Sequence, residues 1–98
     1  MRAKDAQRGD QLIVTKARGT NPGKWGNDEF MLQRAADITR PDFVRWTTPD
    51  NGEILAVTKS IFRSNGTRFL EVEWAGEKWL AYPQDITHRT MKKENNSQ

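Results

Sequence analysis

Asn65-Gly66 sits between residues 53–64 and 67–75, two stretches rich in β-branched, aromatic and aliphatic side chains. A two-residue type I′ loop needs positive φ at both central positions, and Asn-Gly tolerates that conformation, so the dipeptide between two such runs predicts a hairpin. With this loop Ser64 faces Thr67. Counting back pairs Arg63 with Arg68, Phe62 with Phe69, Ile61 with Leu70, Lys59 with Val72 and Val57 with Trp74.

Side chains alternate across a strand, so this register sorts the hairpin into two faces. Leu55, Val57, Ile61, Leu70, Val72 and Trp74 form an apolar face assigned to the core. Phe62, Phe69, Thr58, Ser60, Glu71 and Glu73 form a half-solvated outer face. A second tight turn at residues 75–77, with its loop at Ala75-Gly76 or Gly76-Glu77, returns the chain through residues 78–83. Either loop puts Trp79 and Ala81 on the core face. Pro83 has no N–H for a central ladder, which ends the strand or places it at an edge.

Ninety-eight residues are enough for one domain with a compact core. The absence of cysteine excludes a disulfide framework and a thiolate site. No apolar run approaches the roughly 20 residues that span a bilayer, and the charged stretch 1–10 lacks the apolar segment of a secretory signal. A cytoplasmic protein without membrane attachment is expected. The net charge of +3 is unevenly placed: residues 1–24 hold six basic and two acidic side chains, and 88–98 three and one, while 25–52 and 53–87 are slightly acidic. Basic ends attract polyanions, and they also serve as solubilising flanks.

Residues 1–8 show no hydrophobic periodicity and read as a flexible basic arm. Residues 12–15 form a short strand. The stretch 16–27, with Gly19, Asn21, Pro22, Gly23 and Gly26, is a long loop. Residues 28–36 suit a strand or a helix, and the strand is preferred, running into a turn at 37–39. Residues 43–48 form a strand, and Pro49-Asp50-Asn51-Gly52 turns into the hairpins. The tail 88–98 is polar and expected to be disordered. Two stretches echo each other: GDQLIVTK at 9–16 and GEILAVTK at 52–59. Asp37-Ile38-Thr39 likewise matches Asp85-Ile86-Thr87. Internal duplication and chance similarity both account for such short matches.

An opening strand at 9–14, a long loop at 16–27 and the run GTRFLEVEWAGEKWLAYPQDI at 66–86 together resemble the SH3-like small barrels, including KOW and Tudor-type modules. The resemblance spans about residues 9–87 and lies in the pattern of strands and turns. It implies an all-β fold: a small SH3-like barrel of five to six mostly antiparallel strands with a long first loop, covering 9–87. Barrels of this kind bind nucleic acid in some families and peptides in others, so fold alone does not choose.

His88 is the only histidine, and no pair of histidines or carboxylates stands at a helical ligand spacing, so a metal site or a nucleophilic triad is not expected. Glu71 and Glu73 share a strand face, where such residues more often solvate than act as acid and base. The glycines match no phosphate-binding loop. A non-enzymatic protein without cofactor or metal is expected. Phe62 and Phe69 at the hairpin tip are flanked by Arg63 and Arg68, with Lys59 on the same strand; aromatic rings between guanidinium groups can stack bases and neutralise phosphates. They equally form a cross-strand pair covered by Trp25 or Phe43. Trp46, Trp74 and Trp79 are expected in the core, whereas Trp25 is the most exposed tryptophan. The leading expectation is a nucleic-acid-binding and regulatory module using Lys16, Arg18, Lys24 and Trp25 of the loop with Lys59, Phe62, Arg63, Arg68 and Phe69 of the tip. The alternative is a protein-interaction module, an adaptor, inhibitor or homodimer, using the hairpin outer face.

Overall fold

Asn65 and Gly66 both adopt positive φ, 51° and 79°, and Ala75 and Gly76 repeat the arrangement at 54° and 78°. These two tight turns join three strands, β4 (Ile54–Ser64), β5 (Thr67–Trp74) and β6 (Glu77–Ala81). A computed structural model describes residues 2–19, 29–38 and 44–93 of the chain. Within them lie four further strands, β1 (Gln11–Val14), β2 (Leu32–Arg34), β3 (Trp46–Thr47) and β7 (Thr90–Lys92), and one helix, α1 (Pro83–Arg89). The seven strands make one antiparallel sheet in the order β3-β2-β6-β5-β4-β1-β7. The all-β class expected from the sequence is therefore present, with more strands than the five to six anticipated.

The register at the tip agrees with the turn: Ser64 pairs with Thr67, Arg63 with Arg68 and Phe62 with Phe69. Below the tip it changes twice. Lys59 pairs with Glu71 and Val57 with Val72, so β4 carries one extra residue between Phe62 and Lys59 and another between Lys59 and Val57. Each insertion is a β-bulge, which bends a strand and reverses the facing of the residues beyond it. Two reversals cancel, so Leu55 and Val57 reach the core as expected. Between them Lys59 moves to the side of Phe62, its Nζ 5.1 Å from the ring centroid. Ile61, expected inside, is 42% exposed.

The core joins Leu12 and Val14 of β1, Leu32 of β2, Leu55 and Val57 of β4, Leu70 and Val72 of β5, Trp79 and Ala81 of β6, Ile86 of α1, and Phe30. Trp74 packs against this cluster, its ring edge-on to Trp79 at 6.1 Å. Trp46, expected in the core, is 53% exposed because it lies on the two-residue end strand β3. Val44 and Arg45 stay outside that strand.

Both chain ends differ from expectation over their described parts. Ala3–Asp5 forms a 3-10 turn, and Ala3 and Ala6 are buried in the core, with the Ala3 amide donating to Thr87 Oγ1 at 2.9 Å. Small methyl side chains fit against α1 without contributing a hydrophobic pattern that sequence reading detects. Residues 88–92, expected in the tail, complete α1 and form β7, which pairs with β1 from Leu12–Lys92 to Val14–Thr90. Pro83 opens α1, where its missing N–H costs nothing and its fixed φ suits the first turn.

The two echoing octapeptides lie side by side. Leu12 pairs with Leu55 at the centre of the β1–β4 ladder. The hydrogen bonds around that pair repeat with the two segments exchanged. The Gly9 amide donates to Val57 O and the Gly52 amide to Val14 O, while the Val57 amide donates to Asp10 O and the Val14 amide to Glu53 O, at 2.7–3.0 Å. Gly9 and Gly52 share positive φ, 95° and 91°. Similar sequences thus meet about a local two-fold axis.

Candidate functional site

Two clusters of expected contact residues stand at opposite ends of β4. Antiparallel pairing sends β1 away from the 65–66 turn, so the residues after it meet the turn that precedes β4. The Ala17 amide donates to Asn51 Oδ1 at 2.6 Å, and Arg18 reaches Asp50 at 3.2 Å and Glu29 at 3.4 Å. Lys16 is exposed in the same segment. From Glu53 to Ser64 a strand covers about 35 Å at roughly 3.3 Å per residue, less what the bulges take up. Lys16 and Arg18 therefore share no groove with the hairpin tip. Lys24 and Trp25 lie outside the described residues.

The segment leading away from β1 is held by a buried arginine. Arg89 of α1 is 0% exposed; its Nε donates to Asp85 Oδ1 at 3.1 Å, and its Nη1 donates to the carbonyls of Lys16, Ala17 and Gly19 at 3.1, 3.4 and 3.3 Å. The Thr15 and Lys16 amides donate in return to Arg89 O. Burial pushes the Asp85 carboxyl above its ordinary value, while the Met31 amide and the Arg89 guanidinium pull the other way. This pair organises the fold around the loop. Arg18 is likewise committed to carboxylates and offers less charge to a partner than its exposure suggests.

The hairpin tip differs. β1 accompanies β4 as far as Val57, and β6 accompanies β5 only from Leu70 onward. Residues 59–68 thus form the projecting end of the hairpin: 62–69 are a two-stranded ribbon with no third strand among the described residues, while Lys59 pairs with Glu71, which β6 still flanks through Leu80. Those ten residues include Lys59, Arg63 and Arg68 and no acidic residue. Arg63 and Arg68 lie directly opposite each other, both exposed, and neither forms an ion pair with any described residue. Arg18, Arg34, Arg45 and Arg89, by contrast, each reach a carboxylate at 2.9–3.9 Å. Like charges facing each other across a ladder destabilise a hairpin. No described carboxylate offsets that repulsion at Arg63 and Arg68.

The two phenylalanines have different surroundings. Phe69 is 2% exposed, with its ring 5.3 Å from that of Tyr82. Tyr82 Oη accepts from Gln33 Nε2 at 2.8 Å, which fixes the ring. Phe69 is therefore support for the base of the ribbon, packed on Tyr82; Trp25 and Phe43, expected to cover the aromatic pair, lie outside the described residues. Phe62 is half-buried beneath Lys59. Part of the outer face below is closed too: Leu80 and Glu71 are buried, and Glu71 Oε1 accepts from Thr58 Oγ1 at 2.7 Å, while Ser60 and Glu73 are exposed. Sequence reading misses the bulges that bring Lys59 beside Phe62, because no residue in Thr58-Lys59-Ser60-Ile61 marks them.

Among the described residues no three histidine or acidic side chains converge as a metal site would require, and no helix is long and apolar enough to cross a membrane. Comparison of the chain with protein-family models, with curated proteins and with solved structures gives no significant match.

Proposed function

We propose that this protein is a non-enzymatic nucleic-acid-binding module whose contact element is the hairpin end 59–68. The observation that carries the reading is the pair Arg63 and Arg68, exposed, opposed across the ladder and without carboxylate partners among the described residues. Phosphates brought between them relieve the repulsion that the free protein bears, so binding energy and hairpin stability share one source. Lys59 adds a third cation on the opposite face, beside Phe62. Lys16 and Arg18 fall outside this contact, since they sit at the far end of β4.

Phosphate neutralisation releases counterions, which makes affinity fall linearly with salt on logarithmic axes. The test is a salt titration of fluorescence anisotropy with labelled DNA, for the natural chain and for Arg63→Ser/Arg68→Ser. The double substitution should reduce the salt slope by about 2, one for each phosphate no longer neutralised. Micromolar or weaker binding at low salt, unchanged by the substitutions, would end the proposal.

A second reading, a protein-interaction module, is favoured by the ends of the sheet. Trp46 on β3 and Met91 on β7 are each 53% exposed, on the first and last strands of the order. That contact would use strand edges, as edge-to-edge pairing does, and not the outer face of the hairpin, where Phe69, Glu71 and Leu80 are buried. Light scattering across a concentration series separates a monomer from a homodimer.

For the fold, the finer reading proposed is that the sheet curls into an SH3-like small barrel. It is supported by the bridge between Arg18 and Glu29 and by the Phe30 amide donating to Ala17 O at 2.8 Å, which link the residues after β1 to those before β2. Hydrogen exchange tests it: in a closed barrel the Phe30 amide exchanges as slowly as the amides of Leu12 and Leu70.

A further inference from the structure

Resting on the nucleic-acid reading, we infer that the ribbon's ligand is B-form duplex DNA entered through its major groove, and not a single strand. Sequence-tolerant single-strand binding depends on aromatic rings open to receive bases. At the ribbon Phe69 is sealed against Tyr82, and Phe62 is half-buried with the Lys59 ammonium over its ring. Neither offers a free platform. The groups there without a carboxylate partner among the described residues are planar guanidinium ions, paired side by side on one face of a narrow ribbon.

The dimensions agree with a groove. Two strands lie about 4.8 Å apart, and a ribbon of this kind enters the major groove of B-DNA, which is about 12 Å wide and 8.5 Å deep. From Phe62 to Ser64 the two-stranded part runs about 10 Å at roughly 3.3 Å per residue, comparable to the groove depth, so the turn end reaches into the groove while the sheet stays at its rim. The major groove of an A-form RNA duplex is too narrow for the same entry. Arginine presents a fork of donors that matches guanine O6 and N7, and two forks at adjacent positions can address neighbouring guanines. Lys59, turned to the other face by the bulge, is left for a flanking phosphate. The Asn65-Gly66 turn leads, and carries no side chain large enough to obstruct insertion.

The experiment compares binding of the full-length chain, at matched salt, to a short G·C-containing DNA duplex, an A·T-only duplex, the corresponding single strands and an RNA duplex of the same sequence. Arg63→Lys/Arg68→Lys is measured alongside, because lysine keeps the charge and loses the two-pronged donor. Circular dichroism and thermal melting establish that the variant is folded, and both substituted positions are exposed. The expected result is at least about ten-fold tighter binding of the G·C-containing DNA duplex than of single strands or RNA duplex, with a preference over A·T-only DNA that the lysine variant loses. Single strands bound as tightly as duplex, or an RNA duplex bound as tightly as DNA, would overturn the inference while leaving nucleic-acid binding intact. So would a G·C preference that survives in the lysine variant. No binding to any of the probes would remove the parent reading as well.

Discussion

Replacing Arg89 by methionine keeps the apolar stem of a fully buried side chain and removes its charge. In the natural chain the guanidinium neutralises Asp85 at 3.1 Å and donates to three carbonyls of residues 16–19. Methionine fills most of the space, so the cavity contribution is small. What remains is a desolvated carboxylate with the Met31 amide at 3.4 Å, and three loop carbonyls that have lost the Arg89 donor, of which Ala17 O keeps the Phe30 amide. Removing one member of a buried pair costs about 3–5 kcal/mol, a large part of the roughly 5–15 kcal/mol that holds a domain folded. For a domain of this size each kcal/mol moves the melting temperature by about 4–8 °C, so Arg89→Met should lower it by at least about 12 °C. Differential scanning calorimetry reads that shift. Replacing both partners, Arg89→Met/Asp85→Leu, should recover more than half of the loss, because no charge is then stranded.

The pH dependence gives the same reasoning a sign. A carboxyl whose folded pKa is raised, as burial raises that of Asp85 above 3.8, contributes stability below its unfolded value and loses it as pH rises through the folded one. Without Arg89 the folded value rises further. The deficit of Arg89→Met should therefore be greatest at neutral pH and shrink toward pH 3.8. A melting temperature within about 3 °C of the natural chain, or a deficit that grows in acid, would refute this account of the buried pair.

Three further outcomes are expected. Leu12→Ala, at the centre of the local two-fold axis and fully buried, should cost about 2–5 kcal/mol by chemical denaturation. Combined with Leu55→Ala it should depart from additivity, since the two residues are paired neighbours. Gly66→Val forces a β-branched side chain into φ 79°, and should destabilise the hairpin by more than about 1 kcal/mol, with hydrogen exchange accelerating at residues 62–69 before the core responds. Asp10 titrates oppositely to Asp85: the Gln7 amide, with help from Lys92, lowers its carboxyl below 3.8, so its stabilisation is present above that value and lost as pH falls through the folded one. The destabilisation of Asp10→Ala, followed by melting temperature, should accordingly vanish in strong acid.

Much of the sheet is legible in turn chemistry. Asn65-Gly66 and Ala75-Gly76 set two hairpins, and the three pairs next to the first turn come from counting. Counting fails at Lys59 and Ile61 because a bulge adds a residue without any side-chain signature, and alternation alone cannot register it. Pro83 signals the end of a strand and the start of a helix equally well; with Ile86 the only large apolar residue, PQDITHR is too short to display a helical period. Side-chain character points Trp46 inward, but it says nothing about whether a strand has neighbours on both sides. At the site, the cations of the tip are legible from composition. Their separation from Lys16 and Arg18 depends on the direction in which β1 lies against β4, a long-range property. Which arginines reach carboxylates is likewise a matter of tertiary contacts.

Backbone amide shifts of the full-length chain, followed by NMR while a G·C-containing DNA duplex is added, test most directly whether the ribbon makes the contact. Changes concentrated at residues 59–68, with Leu12, Leu55 and the 15–18 segment unmoved, are the predicted result. Changes centred on Lys16 and Arg18 or on the β3 and β7 ends, with Arg63 and Arg68 silent, would contradict it.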